Sequence, residues 1–185
     1  LKITGTPSGV ETISWKSRDN ASFFDSLGNA DPGTGQVTPL VLNDQLAPTI
    51  SGTSLASDNS TIAVTMSEAV FNTNGGSGAL EVADFALRIS GGQATLSSAT
   101  PSSISISGNV YTLGSGLSGT PNGSETLTAV PTDNGIYDAA GNEASTSQSN
   151  NAISLNDKLA PTISGTSLAS DNSTIAVTMS EAVFN

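Results

Sequence analysis

The sequence predicts an all-β chain assembled from units about 113 residues apart, each closing a two-layer core of its own. Three observations point there. Thirty of the thirty-one residues in 42–72 recur in order as 155–185, with Gln45 replaced by Lys158 as the one change. Apolar residues alternate at period two along most segments, and capped stretches of helical period are missing. A shift of 113 residues is also the size of a compact domain, whereas helical solenoid repeats run at roughly 20 to 50 residues. On this reading residues 42–154 form one complete unit. Residues 1–41 are the C-terminal part of a preceding unit, and 155–185 begin the next. The leading piece aligns with the end of the complete unit: Gly5-Thr6-Pro7 matches Gly119-Thr120-Pro121, and Asp25-Ser26-Leu27-Gly28-Asn29 matches Asp138-Ala139-Ala140-Gly141-Asn142.

Within the complete unit the first strand is expected at 48–55. The second is 61–67, where Ile62, Val64 and Met66 face one way and Thr61, Ala63 and Thr65 the other, as one buried face requires. A third centres on Phe85, Leu87 and Ile89. Residues 94–106 read as a single strand interrupted at Pro101, which has no N–H to give a central ladder. Ser107-Gly108-Asn109 signals a tight turn into a strand at 110–113. The last two strands are 125–130, with Leu127 and Ala129 inward, and 149–155. About seven strands in a unit of this length predict an immunoglobulin-like β-sandwich. An odd number of alternating strands sends the termini to opposite ends, which lets units string end to end.

Composition narrows the function. Sixteen acidic side chains stand against five basic ones. Nucleic acid and anionic membrane surfaces, which need a Lys/Arg face, are therefore disfavoured partners. No apolar run reaches the roughly 20 residues that span a bilayer, so no membrane insertion is expected. Cysteine and histidine are absent, which removes disulfides, thiolate and imidazole zinc sites, and Ser-His-Asp or Cys-His catalysis. A paired-carboxylate glycosidase would have to use loop residues beside few aromatics. A phosphate cradle at Asn74-Gly75-Gly76-Ser77-Gly78 lacks the following Lys-Ser/Thr, so this stretch reads as a loop tip. The chain is expected to be no enzyme.

The carboxylates gather where the chain enters the unit. Asp44 lies in the linker 42–48, Glu68 follows the second strand, and Asp133 and Asp138 lie in the loop 133–142. Asn142 and Asn134 sit in that same loop. Calcium, which takes six to eight oxygen ligands, resolves the repulsion such a cluster would carry. Asx-turns explain any one of these residues taken alone. At the opposite end Asp58 and Asn59 are expected to face Asp157 and Glu181 of the next unit, with a metal stiffening the joint. Four Asn-X-Ser/Thr triplets occur, at Asn20, Asn59, Asn122 and Asn172. Trp15 aligns with the inward Ala129 and is expected in a core, while Phe23 and Phe24 are candidates for contact with a neighbour.

Asp44-Gln45-Leu46-Ala47-Pro48, Ser67-Glu68-Ala69-Val70 and Asp138-Ala139-Ala140-Gly141-Asn142 together resemble the bacterial immunoglobulin-like, cadherin-like repeats of giant surface adhesins. The resemblance implies rod-like stacking of neighbouring units with calcium at or near the joints, in an extracellular or cell-surface protein. The resulting expectation is a non-enzymatic spacer or stalk repeat. A structural segment of an extracellular filament or sheath built from identical chains is one alternative, and a glycan-binding module is another.

Overall fold

The computed structural model describes residues 2–15, 23–30 and 38–184. In chain order the strands are β1 (Thr12–Ile13), β2 (Leu40–Val41), β3 (Ile50–Leu55), β4 (Thr61–Met66), β5 (Phe85–Ser90), β6 (Thr95–Leu96) and β7 (Ile104–Ser107). Next come β8 (Val110–Gly114), β9 (Leu117–Ser118), β10 (Thr126–Pro131), β11 (Ala152–Ser154), β12 (Ile163–Leu168) and β13 (Ile175–Met179). One 3₁₀ turn, Val82–Asp84, leads into β5. No helix among the described residues is long and apolar enough to cross a membrane.

These strands make five separate antiparallel sheets. Four strands run in the order β3-β4-β8-β7, three in the order β11-β10-β5, and β1-β2, β6-β9 and β12-β13 are isolated pairs. Period two explains the larger sheets. Along β4, Ile62, Val64 and Met66 are buried while Thr61, Ala63 and Thr65 are half-buried. Leu127 and Ala129 do the same on β10. These side chains join Ile50, Phe85, Leu87, Tyr111 and Leu113 in one hydrophobic cluster. The Phe85 and Tyr111 rings lie 5.9 Å apart at a 45° tilt. Ser107 pairs with Val110 across a two-residue turn. Gly108 holds φ 57° there, as the first central position of a type II′ turn requires.

Two expectations are corrected. No closed seven-strand immunoglobulin-like sandwich forms, because residues 94–106 are not one strand. Their first part, β6, pairs with β9 in a sheet of its own, and their second part, β7, joins the edge of the four-stranded sheet beside β8. The break is local chemistry. Ser98 Oγ accepts the Thr100 N–H at 3.0 Å, Pro101 is buried without an N–H to donate, and Ser102 N–H donates to the Gly114 carbonyl at 3.1 Å. Nine strands rather than seven lie between Ile50 and Ser154, divided among three sheets, so a strand count no longer fixes where the termini emerge. The second correction concerns tandem units of 113 residues. The pieces on either side close no core of their own among the described residues, since every member of the core cluster lies between Ile50 and Leu155.

What recurs is a hairpin. β12 and β13 reproduce the β3–β4 register, including the irregularity between Ile163 and Gly165 that matches the one between Ile50 and Gly52. Trp15, expected in a core, is 58% exposed, and Phe23 and Phe24 are equally open. Nothing among the described residues gives this leading piece a second apolar layer.

At the far end of the body, Asn59 clasps the outgoing chain. It is 1% exposed and holds φ 63°, a left-handed conformation that asparagine tolerates. Its Nδ2 donates to the Asn156 carbonyl at 2.8 Å, and its Oδ1 accepts the Asn156 N–H at 2.9 Å. Burial this deep leaves the Asn59-Ser60-Thr61 triplet no exposed amide for a glycan. The Asn20 triplet lies outside the described residues. Asn59→Gly keeps the backbone conformation and removes the clasp. It is expected to cost about 1–3 kcal/mol in urea unfolding and to speed hydrogen exchange at the Asn156 amide. Unchanged exchange at that amide would show that the clasp does not hold the outgoing chain.

Candidate metal centre

Asp44, Glu68 and Asp138 each bring a carboxylate oxygen to within 4.8 Å of the other two. They come from three separate segments, and local bonding places each. In the linker, Asp44 Oδ1 accepts the Leu46 N–H at 2.9 Å, closing an Asx-turn. The next residue is anchored to the leading piece, since Gln45 N–H donates to the Pro7 carbonyl at 2.9 Å. Gly9 leaves room for Asp44, because a Cβ there would lie 3.2 Å from the aspartate Cβ.

Glu68 leaves the end of β4, where Ser67 is tied to Thr49 twice. Ser67 N–H donates to the Thr49 carbonyl at 2.8 Å, and Ser67 Oγ accepts the Thr49 N–H at 3.0 Å. Asp138 is fully buried. Both of its oxygens are oriented by Asn142, whose backbone N–H donates to Oδ1 and whose Nδ2 donates to Oδ2, each at 2.8 Å. The Glu68 and Asp138 loops are stitched together by reciprocal Phe71 and Tyr137 backbone bonds of 2.7 and 2.8 Å. The carboxylates are therefore held in position by bonds that do not involve a metal.

Their proximity is electrostatically costly. Partial burial, followed by the charges of Asp138 and Asp44, pushes the Glu68 carboxyl above its ordinary value of 4.5. Arg88 is the only Lys or Arg in residues 42–154, and it is exposed on β5. The donor set is all hard oxygen, which suits a divalent cation such as calcium or magnesium and not a thiophilic or imidazole-seeking metal. Ligands on opposite sides of one calcium ion stand about 4.6–5.2 Å apart, so the three oxygens fit around such an ion as they are placed.

The other acids expected here lie elsewhere. Asp133 is exposed and accepts from Asn134 Nδ2 at 3.0 Å. Desolvation, followed by the charges of Glu143 and Asp133, pushes the Tyr137 phenol upward. Asn134 is bound from its backbone N–H to Glu143 Oε1 at 2.6 Å. Asn142 acts through Asp138, as its amide nitrogen is spent on that carboxylate. In the trailing hairpin Asp157 and Glu181 adjoin each other, and desolvation with the Asp157 charge raises the Glu181 carboxyl. No third carboxylate reaches that pair among the described residues. At the far end Asp58 binds Ser60 N–H at 3.0 Å and Ser60 Oγ at 2.7 Å, and these bonds, with a smaller contribution from the Lys158 charge, hold its carboxyl below the ordinary value.

Sequence reasoning did not assign Asn59 its clasp or Glu125 any role beyond opening a strand. The pair Gly91-Gly92, which packs against Ser124 and Glu125, was the one available signal. The resemblance to bacterial immunoglobulin-like, cadherin-like adhesin repeats is overturned by the five small sheets. No family model, no curated protein and no solved structure matches this chain.

Proposed function

We propose that this chain is a non-catalytic structural spacer module of an extracellular protein, in which one calcium ion fastens the incoming linker to the folded body. The observation that carries the reading is the origin of the three carboxylates. Asp44 belongs to the linker, while Glu68 and Asp138 belong to two loops of the body. A cation among them joins segments that are otherwise mutually repelling. Because Gln45 is bonded to Pro7, fixing the linker also restrains the residues before it, and neighbouring segments of the same chain are its mechanical partners.

Three carboxylates give a modest site. Extracellular calcium modules bind at about 10⁻⁴ to 10⁻³ M, so millimolar calcium adds about 0.4 to 1.4 kcal/mol by mass action. That is enough to bias a joint and too little to fold a domain, which favours an extracellular setting where calcium is plentiful.

Calorimetric melting tests this. Calcium is expected to raise the melting temperature by about 2 to 7 °C, with magnesium weaker because it demands a tighter shell. Asp44→Asn and Glu68→Gln are each expected to remove the calcium response. A response that survives in both would rule the three residues out as the site.

The pH dependence has a definite sign. Without metal, Glu68 binds a proton more readily folded than unfolded, so its contribution to stability falls as pH rises from the unfolded value of 4.5 through the raised folded one. Calcium is expected to flatten that fall, and Glu68→Gln to abolish it.

A further inference from the structure

The sequence contains three Asn-Gly dipeptides, at Asn74, Asn122 and Asn134, and the fold treats them differently. This dipeptide is prone to an internal reaction because a glycine amide meets no side-chain obstruction. The Gly backbone nitrogen attacks the Asn Cγ and forms a C–N bond. The Cγ–Nδ2 bond breaks, ammonia leaves, and a five-membered succinimide remains. Water then opens the ring at either carbonyl, giving aspartate or isoaspartate. The reaction needs an unbound Gly N–H and freedom for the Asn backbone and side chain to turn towards it.

Asn134 has neither. Gly135 is buried, and its N–H donates to the Thr132 carbonyl at 3.1 Å. Asn134 itself is bound through its N–H to Glu143, through Nδ2 to Asp133 and through Oδ1 to the Tyr137 hydroxyl. Asn122 is held at both ends. Its N–H donates to the buried Glu125 carboxylate at 3.1 Å, and its Oδ1 accepts the Ser124 N–H at 3.0 Å. Gly123 next to it rests against Asp157.

Asn74 differs. It sits in the exposed turn between Thr73 and Ser77, which form an isolated bridge. Among the described residues neither its side-chain amide nor the Gly75 N–H makes a hydrogen bond. Nothing lies within 4 Å of the position a Gly75 Cβ would take.

We propose that Asn74 is a site of spontaneous deamidation, a modification site that the fold leaves open here and closes at Asn122 and Asn134. The product is placed. Asn74 Oδ1 lies against Gly141, and the neighbouring Gly76 lies against Ala139. The new carboxylate therefore faces the loop that carries Asp138, and it records the age of the chain as an added negative charge on that loop.

Ageing the purified chain at mildly alkaline pH, followed by proteolysis and mass spectrometry, reads the order directly. Because the other two sites are held by hydrogen bonds that must break before the ring can close, the Asn74 peptide is expected to convert at least about tenfold faster than those of Asn122 and Asn134. In denaturant the three sites should converge to similar rates, since all are Asn-Gly. Equal rates in the native chain, or a faster Asn122 or Asn134, would overturn the proposal. So would an order that persists unchanged in denaturant, because the fold would then not be its cause.

Discussion

Ile62→Ala is expected to destabilise the fold by about 2–5 kcal/mol, while Ile175→Ala, at the same place in the recurring sequence, is expected to cost less than about 0.5 kcal/mol. The two isoleucines have the same neighbours in sequence, and their hairpins share one register. They differ only in what covers them. Ile62 is 0% exposed and pairs with Leu113 of β8, beneath a layer that includes Phe85 and Leu127. Ile175 is 68% exposed. Truncating the first removes buried methylenes and leaves a cavity in a packed interior, whereas truncating the second changes a surface already in water. Urea unfolding of both variants beside the parent measures the difference. Equal costs would mean that β12 and β13 are covered in solution, by another chain or by another part of this one.

Glu125→Ala is expected to cost about 2–5 kcal/mol, because it strands the buried Ala94 N–H and removes the acceptor of two further backbone donors, from Gln93 and Asn122. Glu125 is 0% exposed. Its Oε1 accepts from Gln93 at 2.7 Å and from Ala94 at 3.0 Å, and Oε2 accepts from Asn122 at 3.1 Å. Its own carbonyl accepts Leu155 N–H at 2.9 Å. One side chain thus fastens the turn before β6, the loop before β10 and, through its backbone, the start of the outgoing linker. Gly92 is glycine because a Cβ there would run into this carboxylate. The aligned acid in the leading piece, Glu11, is exposed, and its carboxylate accepts from Ser8 in the same segment.

Burial pushes the Glu125 carboxyl up, but the amide donors outweigh it, and its pKa settles below the ordinary value of 4.5. The folded state then binds this proton less readily than the unfolded one. Its contribution to stability is complete above pH 4.5 and is lost as pH falls through the lowered folded value. Acid titration of stability should therefore be less steep below that pH in Glu125→Gln, which keeps one acceptor oxygen and loses the charge. A Gln variant with an unaltered acid limb would show that the charge is not what the amides hold.

Glu68 and Glu125 show how little residue type says by itself. Both are glutamates beside a strand, and they shift in opposite directions. Glu68 meets two other carboxylates at the end of β4, whereas Glu125 meets a ring of backbone donors. The donors come from Gln93, Ala94 and Asn122, and those first two stand far enough away in sequence that only the packing of the β5–β6 turn onto β10 brings them in. Asp133 and Asp138 make the same point inside one loop. The chain turns between them, Tyr137 bridges to Phe71, and Asp138 meets Asp44 of the linker while Asp133 stays exposed, bonded to Asn134.

Alternation was readable wherever a strand has one wet and one dry face. It located β4 from Ile62, Val64 and Met66 and β10 from Leu127 and Ala129, and Gly108-Asn109 located the β7–β8 turn, because those patterns arise from local backbone geometry. The split of residues 94–106 was hidden, since Pro101 signals an interruption and does not say which sheet each half will join. By itself the sequence determined the all-β character, the exclusion of histidine and cysteine chemistry, and the duplicate hairpin with its register. Tertiary structure alone decided which copy of that hairpin is buried, how the strands divide among five sheets, and which three carboxylates meet. The physical reason is range: turns and alternation depend on adjacent residues, whereas burial, charge clustering and sheet membership depend on segments that only folding brings together.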